Sequence, residues 1–453
     1  MLALNRGKVT MQNKFMKVWT LAFLQVIIVG NLQVLPANAI YGFSLPFLYA
    51  VAVILFFIPC LLMVVKLATA YPQTGGAYIW CQQAFGEKAG FFTVTILWIS
   101  NLLWYPSIFA LIAANLAYIF NPALAESKLF VVGFSVILFW IITGLNCIGI
   151  KPSIRFSVWC SIFGIIIPIV LIMLCGSLWW LSGKPLAISL HDTPLIPNLT
   201  HLNDFGYLIA VLISLFGIEL TAVHAGDVVN PKRDYPLSVL ISGALLLILL
   251  IGAEISIAII VPPDKLSVVT GLLDALLLFF QQTQFKDMLF FIFLLVFLGN
   301  IGSVAAWMLG STRGMYVACL KNHVSPFLQK TNRHEAPVGV LLCEAIIFTC
   351  ASGVFLLFPT IMDSFWLLLV LASQITLIYY MILFASAIRL QVFWPLMGVG
   401  WLASAAALLM GFIPPSNLTP DQVILFRSIM GLGLAFAVIL PIVLLRIEKY
   451  RKN

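Results

Sequence analysis

The chain is a succession of apolar runs, each close to the roughly 20 residues that a helix needs to cross a bilayer, separated by short polar stretches. Twelve runs are legible. They cover about Val18–Phe43, Leu45–Leu67, Phe91–Phe120, Leu129–Ile148 and Ser157–Gly176, then a sixth entering Leu212–Pro236, then about Leu237–Val261, Leu289–Tyr316, Val338–Phe358, Phe365–Ile388, Phe393–Phe412 and Ile424–Leu445. Two are interrupted. In LISLFGIELTAVHAGDVVNPKRDYP, the flexible Gly217 and the carboxylate of Glu219 stand inside hydrocarbon sequence. Backbone that unwinds at membrane depth is tolerated only where protein or a cavity surrounds it, and an intramembrane carboxylate marks a functional site by default. The first run contains GNLQVLPANAIYG, Gly30 to Gly42. Pro36 removes a helix donor there and disfavours helical geometry at Leu35, which predicts a second break near Val34 to Asn38; an ordinary proline kink is the alternative.

Two blocks of five runs, residues 18–176 and 205–390, each begin with an interrupted run. Five is odd, so the second block must be threaded from the opposite side. That is the inverted-repeat plan of secondary transporters, with solute bound between discontinuous helices at the midplane. The expected fold is all-α and integral to the membrane, with about twelve spans, a five-plus-five inverted repeat, and two extra C-terminal helices at 391–445. Residues 1–17 and 446–453 are expected as cytoplasmic ends and 177–204 as an outside loop. Lys151 to Arg155 reads as a basic loop, and Ala68 to Phe91 as a cytoplasmic loop helix punctuated by Pro72, Gly75, Gly76 and Gly86.

Composition sharpens this picture. Of 453 residues, 62% are hydrophobic and 9% charged, whereas soluble domains carry about 25% charge, so a string of soluble domains is excluded. The formal charge of +8 is spread over loops rather than gathered on a stripe, which argues for topology and against a nucleic-acid partner. With the N-terminus inside, nineteen Lys and Arg face the cytoplasm and five face out, a strong positive-inside bias. Both termini are therefore expected in the cytoplasm of a plasma membrane, the bacterial inner membrane. Lys14, Lys17 and Ala37-Asn38-Ala39 imitate a secretory signal, but Gln25, Asn31 and Gln33 interrupt the run and suit a broken span better. The eight cysteines lack paired spacing, and the five histidines lack metal spacing or a nucleophile–base motif. No metal, cofactor or enzymatic activity is expected.

Three stretches resemble the amino acid/polyamine/organocation superfamily, most of all its glutamate/γ-aminobutyrate antiporter branch. The first is Tyr41-Gly42-Phe43-Ser44 with Pro72, Gly75, Gly76, Tyr78, Trp80, Ala84, Phe85 and Gly86. The second is Gly217, Glu219, Ala222, His224, Asn230, Pro231, Arg233, Asp234, Tyr235 and Pro236; the third is Gly310 to Tyr316, GSTRGMY. The resemblance implies the five-plus-five fold related to bacterial amino acid symporters, alternating access, and amino acid substrates. Two departures stand out. Lys66 replaces an acidic residue that many relatives place at the end of the second span, and Gln33-Val34-Leu35-Pro36 is less glycine-rich than the usual first break.

An amino acid stripped of water needs donors for its carboxylate and acceptors for its ammonium. Half-helix N-termini supply donors, a role expected for Gln33, Val34, Leu35, Pro36, Ala37 and Asn38, with Pro36 contributing none. Carbonyls freed at Phe216, Gly217 and Ile218 would face the ammonium, and Trp307 would form a wall. Glu219 has three readings: anchor of the unwound backbone, proton carrier, or direct ligand. It is grouped with Trp104, Tyr105, Ser303, Tyr379 and Lys66 as gating or coupling residues; Tyr379 and Tyr380 have two readings, a cap on the site from outside or simple packing. His224 near Asp227 reads as a helix-end residue, and Glu254 and Glu344 receive no role. The expected function is amino acid exchange of the glutamate/γ-aminobutyrate type with possible proton coupling. A sodium- or proton-driven symporter is the alternative within transport, and a non-transporting sensor on the same fold is the alternative outside it. The sequence leaves the oligomeric state open.

Overall fold

Inside a bilayer every backbone N–H and C=O has to be satisfied within the protein, and this chain meets the demand almost wholly with helices. The computed structural model describes residues 14–189, 191, 193–197, 205–266, 271–281, 286–322, 324–357, 361–413 and 420–452. In chain order the helices are α1 Val18–Val29, α2 Val34–Ala39, α3 Leu45–Ala52, α4 Ile58–Ala70, α5 Ala77–Phe85, α6 Glu87–Phe120, α7 Lys128–Cys147, α8 Ile150–Cys160, α9 Ile167–Leu181, α10 Phe205–Ile213, α11 Pro231–Ile260, α12 Gly271–Phe280, α13 Leu289–Asn322, α14 Val338–Ala351, α15 Val354–Leu357, α16 Ile361–Arg389, α17 Trp394–Met410 and α18 Pro420–Lys452. Short π-helical segments, Val53–Phe57 and Ser161–Ile166, join α3 to α4 and α8 to α9 into single spans. Among the described residues, ten helical stretches are long and apolar enough to cross a membrane. The interrupted pair α1–α2 and the shorter α17 complete the twelve-span plan. This is an all-helical, multi-pass membrane protein.

The first interruption lies earlier than the sequence predicts. It spans Gly30 to Gln33, where the Asn31 side chain accepts the Gln33 N–H at 3.0 Å, and Val34 to Ala39 is helical. The expected break at Val34–Asn38 is therefore corrected: Pro36 is the third residue of α2, in the first turn, where a missing N–H costs no helical bond. It helps to restart the helix instead of ending it. The second interruption is where expected. After α10, Gly217 adopts φ +111°, and Ile218–Asp227 continues as a ten-residue 3-10 helix, far longer than the usual three or four residues.

Other expectations shift by a turn or two. The basic loop Lys151–Arg155 forms the start of α8, α11 begins at Pro231 with Asp234 accepting the Asn230 N–H, and the tail beyond Leu445 continues α18 to Lys452. The segment between the second and third spans forms the short helix α5, as the sequence predicts, with Ala77 to Cys81 buried and Gln83 and Phe85 exposed. Helix α12 falls outside the twelve predicted runs; it packs near Pro36.

The centre of the molecule is built on α6, α13 and α16, with α13 buried from Gly299 to Met315 apart from partly exposed Trp307. The periphery is apolar: Leu432 on α18 is 72% exposed, as suits a helix whose neighbours are lipid tails. Lipid offers no hydrophobic drive to bring helices together, so close backbone packing does the work. At the α13 crossing of the fifth span, a Cβ on Gly299 would stand 2.1 Å from the Gly164 carbonyl oxygen. Gly299→Val is therefore expected to destabilise the detergent-solubilised protein by about 1–3 kcal/mol, the range for overpacking. Gly133→Val, on an open face of α7, is the control, and equal thermal unfolding of the two variants would contradict this packing.

Candidate substrate site

The two interruptions face each other. A cavity of about 70 Å³ opens between them, lined by Ile28, Val29, Asn31, Gln33 and Val34 from the first span, Ile213, Ser214 and Phe216 from the sixth, and residues of α6, α13 and α16. Its polar wall is made of amides and hydroxyls: Asn31, Gln33, Ser100, Asn101, Ser214, Ser373 and Thr376. Gln33 and Asn101 are each 2% exposed, and the Gln33 Nε2 and Asn101 Nδ2 groups have no hydrogen-bond partner in the structure. The remaining wall is aromatic. Trp104 and Trp307 sit 5.4 Å apart between ring centroids, and Phe216 closes the floor against Tyr380 at 4.7 Å.

The floor is a single bonded unit. Trp307 Nε1 donates to the carbonyl of Ile28 at 2.8 Å, one of the acceptors freed where α1 stops. Gly217 N–H donates to Tyr380 Oη at 2.7 Å, and Tyr380 in turn donates to Glu219 Oε2 at 2.7 Å. A broken helix leaves orphan donors; here a tyrosine oxygen accepts one and its own O–H donates to the buried carboxylate. Gly217 is also where the two spans and α13 meet, since a Cβ there would lie 2.7 Å from Trp307 and 2.8 Å from Ile28.

Below the floor, toward the face that carries the N-terminus, lies a smaller cavity of about 20 Å³ lined by Glu219, Tyr379, Gly310, Ser311 and their neighbours. Beyond it the chain is tied shut. The 3-10 helix is held by Tyr235, which donates to Thr221 O at 2.6 Å, and by Gln25, which donates to Thr221 Oγ1 at 3.3 Å. Gly76, at φ +47°, packs where a Cβ would be 2.7 Å from Val223 N. At its end, the buried Arg313 donates to His224 Nδ1 at 2.6 Å and pairs with the Asp227 carboxylate. Phe15 and Met16 donate their N–H groups to Asp227 O at 3.0 and 3.1 Å, and Val229 N–H returns to Met16 O.

The residues expected at the site divide accordingly. Gln33, Val34, Trp104, Phe216 and Trp307 line the central cavity; Gly217, Ile218 and Glu219 form its floor; Tyr379 lines the smaller cavity. Leu35 and Pro36 are packed in the core, Ala37 is half-buried, and Asn38 bonds to Glu254 at 3.0 Å, because the helix restarts at Val34 and turns these residues away from the break. Tyr105 packs on Phe139 with its hydroxyl 3.4 Å from Ser311. Ser303 is buried a turn before Trp307 with its hydroxyl unpartnered. Lys66 is exposed, its Nζ over the Phe393 ring at 5.2 Å, so it stands apart from the path. Tyr379 and Tyr380 do not stand over the central cavity from the far side: Tyr380 bonds the floor at Gly217 and Glu219, and Tyr379 lines the smaller cavity beneath it. Asn31 is marked by the sequence as an interruption of the first run, whereas Ser100, Ser214, Ser373 and Thr376 are not marked; hydroxyls in apolar runs so often bond their own helix that spacing does not separate wall from packing.

Two discontinuous spans enclosing a cavity in an all-helical bundle follow the plan of secondary transporters. The chain belongs to the amino acid permease family, whose model matches residues 16–436. It is 37% identical over 445 residues to an uncharacterized transporter of Legionella pneumophila, covering 94% of this chain and 96% of that one. It is 24% identical over 443 residues to a glutamate/gamma-aminobutyrate antiporter of Lactococcus lactis subsp. lactis, covering 92% and 87%. A protein named a probable agmatine/putrescine antiporter, also from Lactococcus lactis, is 25% identical over 361 residues, covering 79% and 75%.

The floor yields a test. Tyr380→Phe leaves the Gly217 N–H and Glu219 without this partner, at a cost of about 1–3 kcal/mol for each buried group left unsatisfied. Glu219→Gln keeps an acceptor for Tyr380. Thermal unfolding in detergent is expected to show the larger loss for Tyr380→Phe; the reverse order would separate Tyr380 from the anchoring of the break.

Proposed function

We propose that this permease exchanges amino acids across the plasma membrane by alternating access, as an antiporter, with both termini cytoplasmic and with residues 18–176 and 205–390 as its inverted repeats. The observation that carries the reading is the pair of unpartnered, buried amide donors, Gln33 Nε2 and Asn101 Nδ2, in the wall between the broken spans. A buried donor without an acceptor is costly, and a solute carboxylate supplies the acceptor. The ammonium faces the aromatic walls, where ring faces attract cations, the hydroxyls of Ser373 and Thr376, and the backbone between Ser214 and Gly217. The names of the Lactococcus relatives, both antiporters, support exchange. So does the tying of the 3-10 helix at the N-terminal face: an empty carrier that must break that network reorients slowly, and one amino acid leaves as another enters.

The wall also bears on the substrate. Among the described residues, no Lys, Arg, Asp or Glu lines the central cavity. An uncompensated charge is expensive to bury, so the site suits a zwitterion with a single carboxylate, γ-aminobutyrate or a neutral amino acid, ahead of glutamate. Glu219, on the floor and bonded to Tyr380, acts as anchor and gate; Glu219→Gln impairs turnover more than binding.

Counterflow into proteoliposomes tests this reading. Uptake of labelled γ-aminobutyrate or neutral amino acids should depend on the solute trapped inside and proceed without sodium. Asn101→Leu and Gln33→Leu should each raise KM about tenfold, the effect of losing one hydrogen bond to a charged group. Uptake indifferent to internal solute, or a sodium requirement, points to a symporter; binding without flux points to a sensor. Preference for glutamate over γ-aminobutyrate overturns the substrate assignment alone.

A further inference from the structure

A second buried carboxylate lies outside the floor. Glu254, in the far half of α11, is fully buried, and its Oε1 accepts two hydrogen bonds, from Asn38 Nδ2 at 3.0 Å and from Tyr49 Oη at 2.8 Å. Its Oε2 has no partner. Tyr49 Oη is also 3.2 Å from Ser214 Oγ, a contact in which either hydroxyl can donate, and Ser214 is in turn 2.6 Å from the Val211 carbonyl. Ser214 lines the central cavity. A continuous chain of exchangeable protons therefore runs from the cavity through Ser214 and Tyr49 to Glu254.

The surroundings of Glu254 offer no countercharge. Among the described residues it forms no ion pair, and Tyr49, on α3, is the titratable group bonded to it. The elements packed against α11 add Cys175 on α9, Cys60 and Lys66 on α4, and Asp274 on α12, while α1, α2 and the 3-10 turn Gly42–Ser44 contribute no titratable side chain. A carboxylate with one bare buried oxygen and no cation is costly, and protonation removes that cost. The chain accommodates both states by reversing direction. With Glu254 ionised, Ser214 donates to Tyr49 and Tyr49 to Glu254. With Glu254 protonated, Glu254 donates to Tyr49, Tyr49 to Ser214, and Ser214 to Val211 O, so that every donor has an acceptor.

We propose that Glu254 is a proton-binding site of the transport cycle, filled from the central cavity through Ser214 and Tyr49. In filling, a hydronium ion that enters the cavity from solution gives a proton to Ser214 and is left as water, Ser214 releases its own to Tyr49, and Tyr49 releases its own to Glu254; the two hydroxyl oxygens each gain one O–H bond and lose one, and the carboxylate becomes a carboxylic acid. Glu254 also holds Asn38 on α2, so its proton occupancy sets the grip on the far half of the first broken span. Three other elements meet there: α3 through Tyr49, the sixth-span break through Ser214, and α11 itself. The site thus joins parts of both five-span blocks on the far side of the cavity, opposite the Arg313 network.

The transport readout rests on the exchange reading; a spectroscopic one does not. Infrared difference spectra of the detergent-solubilised protein between acidic and neutral pH should contain the carbonyl stretch of a protonated carboxyl that Glu254→Gln removes and Tyr49→Phe shifts in frequency. In proteoliposomes with a trapped pH dye, Tyr49→Phe should slow substrate-driven proton movement about a hundredfold, the scale on which a positioned proton donor acts, and Glu254→Gln should abolish it while leaving exchange measurable and its rate flat with pH. Should Glu254→Gln not fold, the Tyr49→Phe frequency shift and proton rate decide the matter. A carboxyl band unmoved by Tyr49→Phe together with wild-type proton movement in that variant, or a wild-type pH profile in Glu254→Gln, overturns the proposal. A wild-type protein that exchanges no solute overturns the exchange reading and leaves the infrared result to stand or fall alone.

Discussion

The structure depends on how the sixth span satisfies its own break. Gly217 alone permits the left-handed turn at φ +111° with Trp307 and Ile28 in contact on its bare side, and the N–H exposed by that turn is taken by Tyr380, which leans on Glu219. In hydrocarbon such a donor has no water to fall back on. Once it is bonded, the 3-10 segment that follows is free to lie between α4, α13 and the α5 loop, and the central cavity acquires a floor. Neither the cavity above nor the smaller one below would be separate without this unit.

The arrangement around the floor is asymmetric. On the N-terminal face the 3-10 helix is bound by side chains and backbone from five different segments: Gln25, the Gly75–Gly76 loop, Tyr235, Arg313 and the strand-like Phe15–Met16 pair. On the far face the first span's second half is tied to α11 through Asn38 and the buried carboxylate of Glu254, and the turn that follows it bonds to Thr193 and Pro194. Under the exchange by alternating access proposed above, dense bonding on one side and sparser ties on the other would give the two faces different means of opening; a gate common to both would open a leak.

Much is legible from the order of residues. Apolar run length leads to about twelve spans, and Gly217 with Glu219 marks the sixth-span break at its true place, because a flexible residue followed by a carboxylate is too costly for a helix that faces lipid. The first break opens four residues before the predicted position. Pro36 reads as the interruption although a proline in a first turn is compatible with helix, and the actual opening, Gly30 to Gln33, is held by a local Asn31 to Gln33 bond that no periodicity reveals. Likewise Asn38 belongs by sequence to the solute site, whereas in the fold it turns to a carboxylate 216 residues away.

Residue order alone is thus enough for the class of structure: the cost of unpaired backbone in lipid forces helices, their count follows from hydropathy, and the two interruptions announce a transporter. Which polar groups share a cavity depends on the packed fold, because Gln33 and Asn101 lie on different spans and their missing partners are visible only once both are buried. Packing also makes Glu219 and Glu254, alike in sequence as acids in apolar runs, differ in kind. The first is bound to the floor by Tyr380; the second stands at the end of a hydroxyl chain, Tyr49 and Ser214, that reaches the central cavity.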